Sequence, residues 1–145
     1  MSLPLSKVEL CQLLPHTGAM CLLDEVAEFS DREIRCRSRT HQDLANPLRR
    51  NGQLPAICGI EYVAQAMGIH GRLATGNQQK PAAGFLASLR DVKCTVERLD
   101  DIDAPLDILA RRVADSADSV MCEFELRAGE RTLLTGRATL LLQAR

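Results

Sequence analysis

Fourteen consecutive residues, Ala56 to Ile69 (AICGIEYVAQAMGI), carry only two strongly polar side chains, Glu61 and Gln65. The stretch is too short to cross a membrane. Its apolar residues cover nearly the whole circumference of a helix, and such a helix must be buried rather than laid on a surface by one apolar stripe. Positions four apart differ by about 40° around a helix, so Glu61 and Gln65 share a face. A carboxylate and a carboxamide therefore point together from a buried element. An isolated buried carboxylate is expensive, and it needs partners or a chemical task.

The chain of 145 residues is expected to form one domain, 1–145, large enough to bury a core around that helix. A net charge of −1, one Tyr, three Phe and no Trp leave neither a field nor the rings for nucleic acid, so that partner class is excluded. No apolar run has transmembrane length, and no membrane insertion is expected. The start, MSLPLSKVEL, lacks a basic region followed by a long apolar core, which argues against a secretory signal. Six cysteines (Cys11, Cys21, Cys36, Cys58, Cys94, Cys122) show no C-x-x-C or H-E-x-x-H spacing, so neither a metal nor a cofactor is expected. They read as reduced thiols in a cytoplasmic protein. Cys58 lies near the start of the central helix, where its pKa could be lowered.

Periodicity orders the rest. Ser6 to Leu14 reads as a short helix with Ser6 as N-cap, Glu9 three residues on and Pro15 past its end. Residues 19–29 and 32–40 read as strands joined by a turn at Ser30-Asp31; the second alternates, with Ile34, Cys36 and Ser38 on one face. A loop over 41–55 leads into the central helix, which runs to about Ala74 and stops at Gly76 and Asn77. Four strands follow, over 83–95, 105–115, 119–127 and 131–142, with hairpin turns at Ala117-Asp118 and Ala128 to Glu130. The class is α+β: a curved antiparallel sheet of five to six strands wrapped around one long helix, the hotdog arrangement. Such a helix needs cover on more than one side, and the sheet has edges to protect, so a dimer is expected.

Three motifs carry a resemblance. Leu14 to Val26 (LPHTGAMCLLDEV) is similar to the opening motif of the 3-hydroxyacyl-acyl-carrier-protein dehydratases. Asn46-Pro47-Leu48 followed by Gly52-Gln53-Leu54-Pro55 resembles their N-x-P-F-F-x-G-H-F-P loop, and Glu61 to Gln65 (EYVAQ) resembles their E-A-x-A-Q helix motif. Gly136 to Leu140 is similar to their closing strand. GQLPAICGIEYVAQAM looks like a divergent branch found in aryl polyene gene clusters. The resemblance implies the hotdog fold, an acyl carrier protein or CoA thioester as substrate, and a homodimer or a heterodimer with a related dehydratase. Two departures stand out. Gln53 occupies the place of the family's catalytic loop histidine, and about six residues are missing between that loop and the helix.

Dehydrating a 3-hydroxyacyl thioester takes a proton from C2 and expels hydroxide from C3, which requires a base, an acid and donors for the thioester enolate. By the resemblance, Glu61, if desolvated, moves a proton to or from the hydroxyl, and Gln65 orients Glu61 or binds water. Backbone N–H groups of Cys58, Gly59 and Ile60 at the helix start are the candidate donors, and Gln53 lines the substrate. Gln53 cannot act as a base. His16 matches a family position and is the candidate base; His41 reads as a solvated loop residue; His70 lies about 180° around the helix from Glu61 and is left out. Arg49 and Arg50 read as a solvated corner or a phosphate contact. Three functions stay open: a dehydratase with a rearranged base, a non-catalytic dehydratase-like partner subunit, or an acyl thioesterase.

Overall fold

The computed structural model describes residues 3–14, 18–75 and 84–142. Helix α1 (Lys7–Cys11) begins as its sequence dictates: the Ser6 hydroxyl accepts the Glu9 N–H, and the Glu9 carboxylate accepts the Ser6 N–H at 3.1 Å. Helix α2 (Gly59–Thr75) is the central element and continues a 3-10 turn at Ala56–Cys58. Six strands surround it: β1 (Glu25–Phe29), β2 (Glu33–Ser38), β3 (Gly84–Cys94), β4 (Leu106–Asp115), β5 (Ser119–Ala128) and β6 (Arg131–Leu142). They form one sheet in the order β1-β2-β4-β5-β6-β3, antiparallel at every step. The expected curved sheet around one helix is present, with six strands. The stop at Gly76 and Asn77 lies outside the described residues. No helix among them is long and apolar enough to cross a membrane.

Alternation decides which face meets α2. Ile34, Cys36 and Ser38 of β2, Leu106, Ile108 and Ala110 of β4, and Val120, Cys122, Phe124 and Leu126 of β5 are buried, and the residues between them are not. The helix lies close on that surface at Gly59, where a Cβ would stand 2.8 Å from a Leu126 methyl and 3.0 Å from a Leu134 methyl. A larger residue there would require the Leu126 and Leu134 side chains to shift.

Two expectations need correction. The strand expected over 19–29 splits into a 3-10 turn (Gly18–Met20), a stretch outside any regular element, and β1 from Glu25 onward. The reason is local. Leu22 gives its N–H to Gln65 and its carbonyl to the hydroxyls of Ser38 and Thr40, so side chains satisfy the groups a neighbouring strand would have used. Nor are all six cysteines free: Cys11, which closes α1, is disulfide-bonded to Cys21 just before β1, their Cα atoms 6.0 Å apart. The fold holds the pair within bridging reach, which ten-residue spacing did not suggest. Cys36, Cys58, Cys94 and Cys122 are free.

Candidate functional site

Glu61 and Gln65 share a face of α2, yet their surroundings differ. Glu61 is exposed and makes no hydrogen bond or ion pair among the described residues. Gln65 is buried, and the segment before β1 bonds to it through Met20 and Leu22. Both ends of its carboxamide are used: Oε1 accepts the Leu22 N–H at 2.9 Å and Nε2 donates to the Met20 carbonyl at 2.7 Å. Gln65 is thus a clamp on backbone, and no hydrogen bond joins it to Glu61 among the described residues.

The start of α2 spends its amides internally. The Cys58 N–H donates to the Pro55 carbonyl at 3.0 Å, and the Gly59 N–H donates to the carbonyls of Ala56 and Ile57. Gly59 and Ile60 both face the core. A 3-10 lead-in absorbs donors that a helix begun outright would have left open. Cys58 is half-buried; burial, and then the nearby Glu61 carboxylate, push its thiol up, with Arg50 pulling the other way. The lowered pKa expected for a thiol at a helix start is therefore not found. Ile57, one residue earlier, is 53% exposed, so an apolar side chain stands in water beside Cys58 and Glu61.

Gln53 sits at the end of a tight hairpin. Arg50 and Gln53 exchange backbone hydrogen bonds of 2.8 and 3.0 Å across Asn51 (φ 53°) and Gly52 (φ 76°). Two successive positive φ values mark a type I′ turn, and Asn-Gly is the sequence signal for it. The Gln53 side chain is exposed. Just after it, the Leu54 N–H donates at 2.7 Å to Asp100, whose carboxyl is held well below the usual range by the Arg98 guanidinium. Arg49 is no solvated corner. It donates to the Gly52 carbonyl at 2.8 Å and to the His41 carbonyl at 3.1 Å, clamping the hairpin to the preceding loop.

The histidines are less available than their positions suggest. His41, read as solvated, is fully buried, and its Nε2 lies 3.0 Å from the Ile102 carbonyl; burial pushes its pKa down. His70 is buried on the far side of α2, as expected, and bonds the Ser30 carbonyl at 2.9 Å. His16 lies outside the described residues.

Sequence reasoning missed a buried polar network beside the site. Tyr62 is the chain's only tyrosine and is fully buried. Its hydroxyl meets Thr40 Oγ1 at 2.8 Å and Asn46 Nδ2 at 3.0 Å, while Thr40 Oγ1 and Ser38 Oγ reach the Leu22 carbonyl at 2.7 and 2.6 Å. The available signal was a lone tyrosine in an otherwise aliphatic helix, since a buried phenol must find polar partners. On the opposite, outer face of the sheet lies a cleft of about 690 Å³ walled by charged residues. Those charges already pair across strands, with Arg111 to Glu123 at 2.7 Å and Arg137 to Glu123 at 3.4 Å, and the sheet separates them from Glu61.

No curated protein matches this chain in sequence. Among solved structures, it is similar over 100% of its length, and over 94% of the other chain, to the dehydratase heterocomplex ApeI:P from Xenorhabdus doucetiae, with a TM-score of 0.83 and 27% identity. More distant matches share the fold alone. A hypothetical thioesterase with coenzyme A from Streptococcus pneumoniae matches at 12% identity and TM-score 0.59, covering 83% of this chain and 86% of that one. A thioesterase from Haemophilus influenzae matches at 12% and 0.58, covering 82% and 77%. The family model described as ApeP-like, ApeP dehydratase, matches residues 8–144, which include the Gln53 hairpin, all of α2 and every strand. The chain belongs to the ApeP-like dehydratase family, the aryl polyene branch of hotdog dehydratases that its motifs resemble.

Proposed function

We propose that this protein is a dehydratase-like subunit acting on 3-hydroxyacyl thioesters of an acyl carrier protein or coenzyme A, and that it works as a dimer with a related dehydratase. The observation that carries the reading is the family match over residues 8–144, because it spans both the hairpin that carries Gln53 and the helix start that carries Cys58 and Glu61. In this reading Glu61 is the proton-handling group and protonates the departing C3 hydroxyl. His41 and His70 are buried and bonded to carbonyls, so His16 is the histidine of this chain left to take the C2 proton. Gln53 donates its amide N–H to substrate without acting as a base.

The dimer has a physical motive. Strand β3 is an edge of the sheet, and its Leu86 and Leu89 are 36% and 39% exposed. An open edge carrying apolar side chains is a template for another chain. A partner joined there and laid over Ile57 would take Glu61 out of water, the condition a proton-donating carboxylate needs.

A second reading has its own support. Gln53 in place of the loop base, with both described histidines engaged in the interior, fits a subunit that shapes the site while its partner performs the chemistry. The experiment incubates the chain, alone and with a related dehydratase, with 3-hydroxyacyl-, enoyl- and saturated acyl-carrier-protein. Interconversion of the first two by the chain alone supports the catalytic reading. Turnover only in the mixture, above that of the partner, supports the second. Thiol release from the saturated substrate would replace both with a thioesterase, and no effect in any mixture would overturn the assignment.

A further inference from the structure

Two segments flank the exposed start of α2: the lead-in to β1, through Met20 and Leu22, and the loop from Thr40 to Gln53. They touch through one directed hydrogen-bond chain. Thr40 Oγ1 donates to the Leu22 carbonyl at 2.7 Å, which leaves its lone pairs to accept, so the proton between Thr40 and Tyr62 belongs to Tyr62. The Tyr62 oxygen in turn accepts from Asn46 Nδ2 at 3.0 Å. Burial pushes the Tyr62 phenol up, so it keeps the proton it must donate. The second Nδ2 hydrogen of Asn46 goes to the Thr40 carbonyl at 2.8 Å, and its Oδ1 accepts the Leu48 N–H at 2.8 Å. Every donor and acceptor of that amide is therefore assigned, and the order runs Asn46 to Tyr62 to Thr40 to Leu22. On the other side of Leu22, its N–H continues to Gln65 and then to the Met20 carbonyl. Aligned buried hydrogen bonds polarise one another, and interrupting one leaves two groups unpaired.

We propose that Tyr62 is a positioning residue: its hydroxyl ties the loop carrying Gln53 to α2 and to the lead-in, and so sets where Gln53 stands relative to Glu61. The phenol itself faces the interior and touches no reacting group. Adjacent positions on α2 thus divide the work, with Glu61 turned to the site and Tyr62 turned to its support. The catalytic part of this inference rests on the dehydratase reading above; the structural part does not.

The test is Tyr62→Phe, which keeps the ring and removes the hydroxyl. Amide hydrogen exchange is followed in the whole protein, with turnover of 3-hydroxyacyl-acyl-carrier-protein measured in parallel with the dehydratase partner present. Exchange at Leu48, Arg49 and Gln53 is expected to accelerate about tenfold or more while Cys122 and Phe124 in β5 keep their wild-type rates. Unchanged exchange in the loop, or equal acceleration in β5, would overturn the tie. kcat is expected to fall about tenfold with KM nearly unchanged, because the loop is misplaced rather than lost. Unchanged kcat beside a loosened loop would overturn the positioning role. Absence of wild-type turnover would instead overturn the dehydratase reading and leave exchange to decide the tie. Thr40→Val breaks the next link of the chain and is expected to loosen the same amides; a wild-type exchange pattern in that variant would also overturn the proposal.

Discussion

The two ends of α2 are held in opposite ways. Toward its C-terminus, polar and aromatic groups engage one another. His70 bonds the Ser30 carbonyl through Nε2 and accepts from Arg112 through Nδ1 at 3.3 Å, Phe29 packs on its ring at 5.3 Å, and Arg112 reaches Asp115 at 3.2 Å. At its start, Glu61 has no partner among the described residues, Cys58 is half-buried and Ile57 stands in solvent. One helix with apolar residues on every side is sealed where the sheet and the β1–β2 turn close over it, and open where they stop. The sealed end serves stability. The open end leaves Ile57 and Glu61 exposed, and the proposed function assigns that end to substrate.

The contrast predicts that substitutions at the open end change activity and leave stability alone. Glu61→Gln is expected to lower dehydratase turnover about a hundredfold or more while shifting the urea midpoint by no more than about 0.5 kcal/mol of stability. A destabilised variant with full turnover would show that the two ends had been read the wrong way round. Four positions on, Gln65→Ala should do the reverse, costing about 3 kcal/mol by calorimetry because it strands the Met20 carbonyl and the Leu22 N–H. A loss within about 0.5 kcal/mol would mean that the clamp is dispensable.

The lead-in that Gln65 clamps is also held by a covalent bond. Reducing Cys11–Cys21 releases a short loop and is expected to cost about 2–3 kcal/mol. Thiol titration of the unfolded, unreduced protein should find the four free cysteines; six would remove the bond and this prediction with it.

Acid should attack the sealed regions. Burial depresses the pKa of both His70 and His41 below their ordinary 6.5. A base with a depressed folded pKa contributes stability that is intact above the unfolded value and is lost as pH falls through the folded one. Protonating His70 would also turn an Nδ1–H against the Arg112 guanidinium. The urea midpoint should therefore fall as the pH drops below about 6.5, and His70→Gln should flatten part of that slope. A midpoint independent of pH across this window would mean that neither ring is held neutral.

The smallest effect is expected at Gln53→His. It restores an imidazole at the loop position the family uses, but on a hairpin with about six fewer residues before α2 than the resemblance predicts. A gain of no more than a few-fold in turnover is expected. A large gain would show that the shortened connection preserves the loop's approach to Glu61.

Much of the architecture was legible along the chain. Alternation in β2 and β5 named the faces that bury Ile34, Cys36, Phe124 and Leu126, because side-chain direction in a strand follows directly from position. Ser6 and Glu9 announced their capping box for the same reason: the partners lie three residues apart. The site was legible only as a set of residues. Helical spacing placed Glu61 and Gln65 on one face, but whether that face meets water or backbone depends on Met20 and Leu22, more than forty residues away. The amides around Cys58 were expected to be open, and a 3-10 turn closed those of Cys58 and Gly59. Arg49 and His41 looked solvated because loops usually are, whereas here one clamps the hairpin and the other fills the interior.

Local periodicity by itself determined that this chain would wrap an antiparallel sheet around one apolar helix, and its motifs determined the family, since both are written in near-neighbour spacing and residue type. Tertiary structure alone decided that Cys11 would meet Cys21, that Gln65 would hold backbone instead of Glu61, and that Tyr62 would join two loops. Each of those outcomes needs two distant segments at hydrogen-bonding or bonding range. Spacing along a chain carries no such distance until the sheet has closed around the helix.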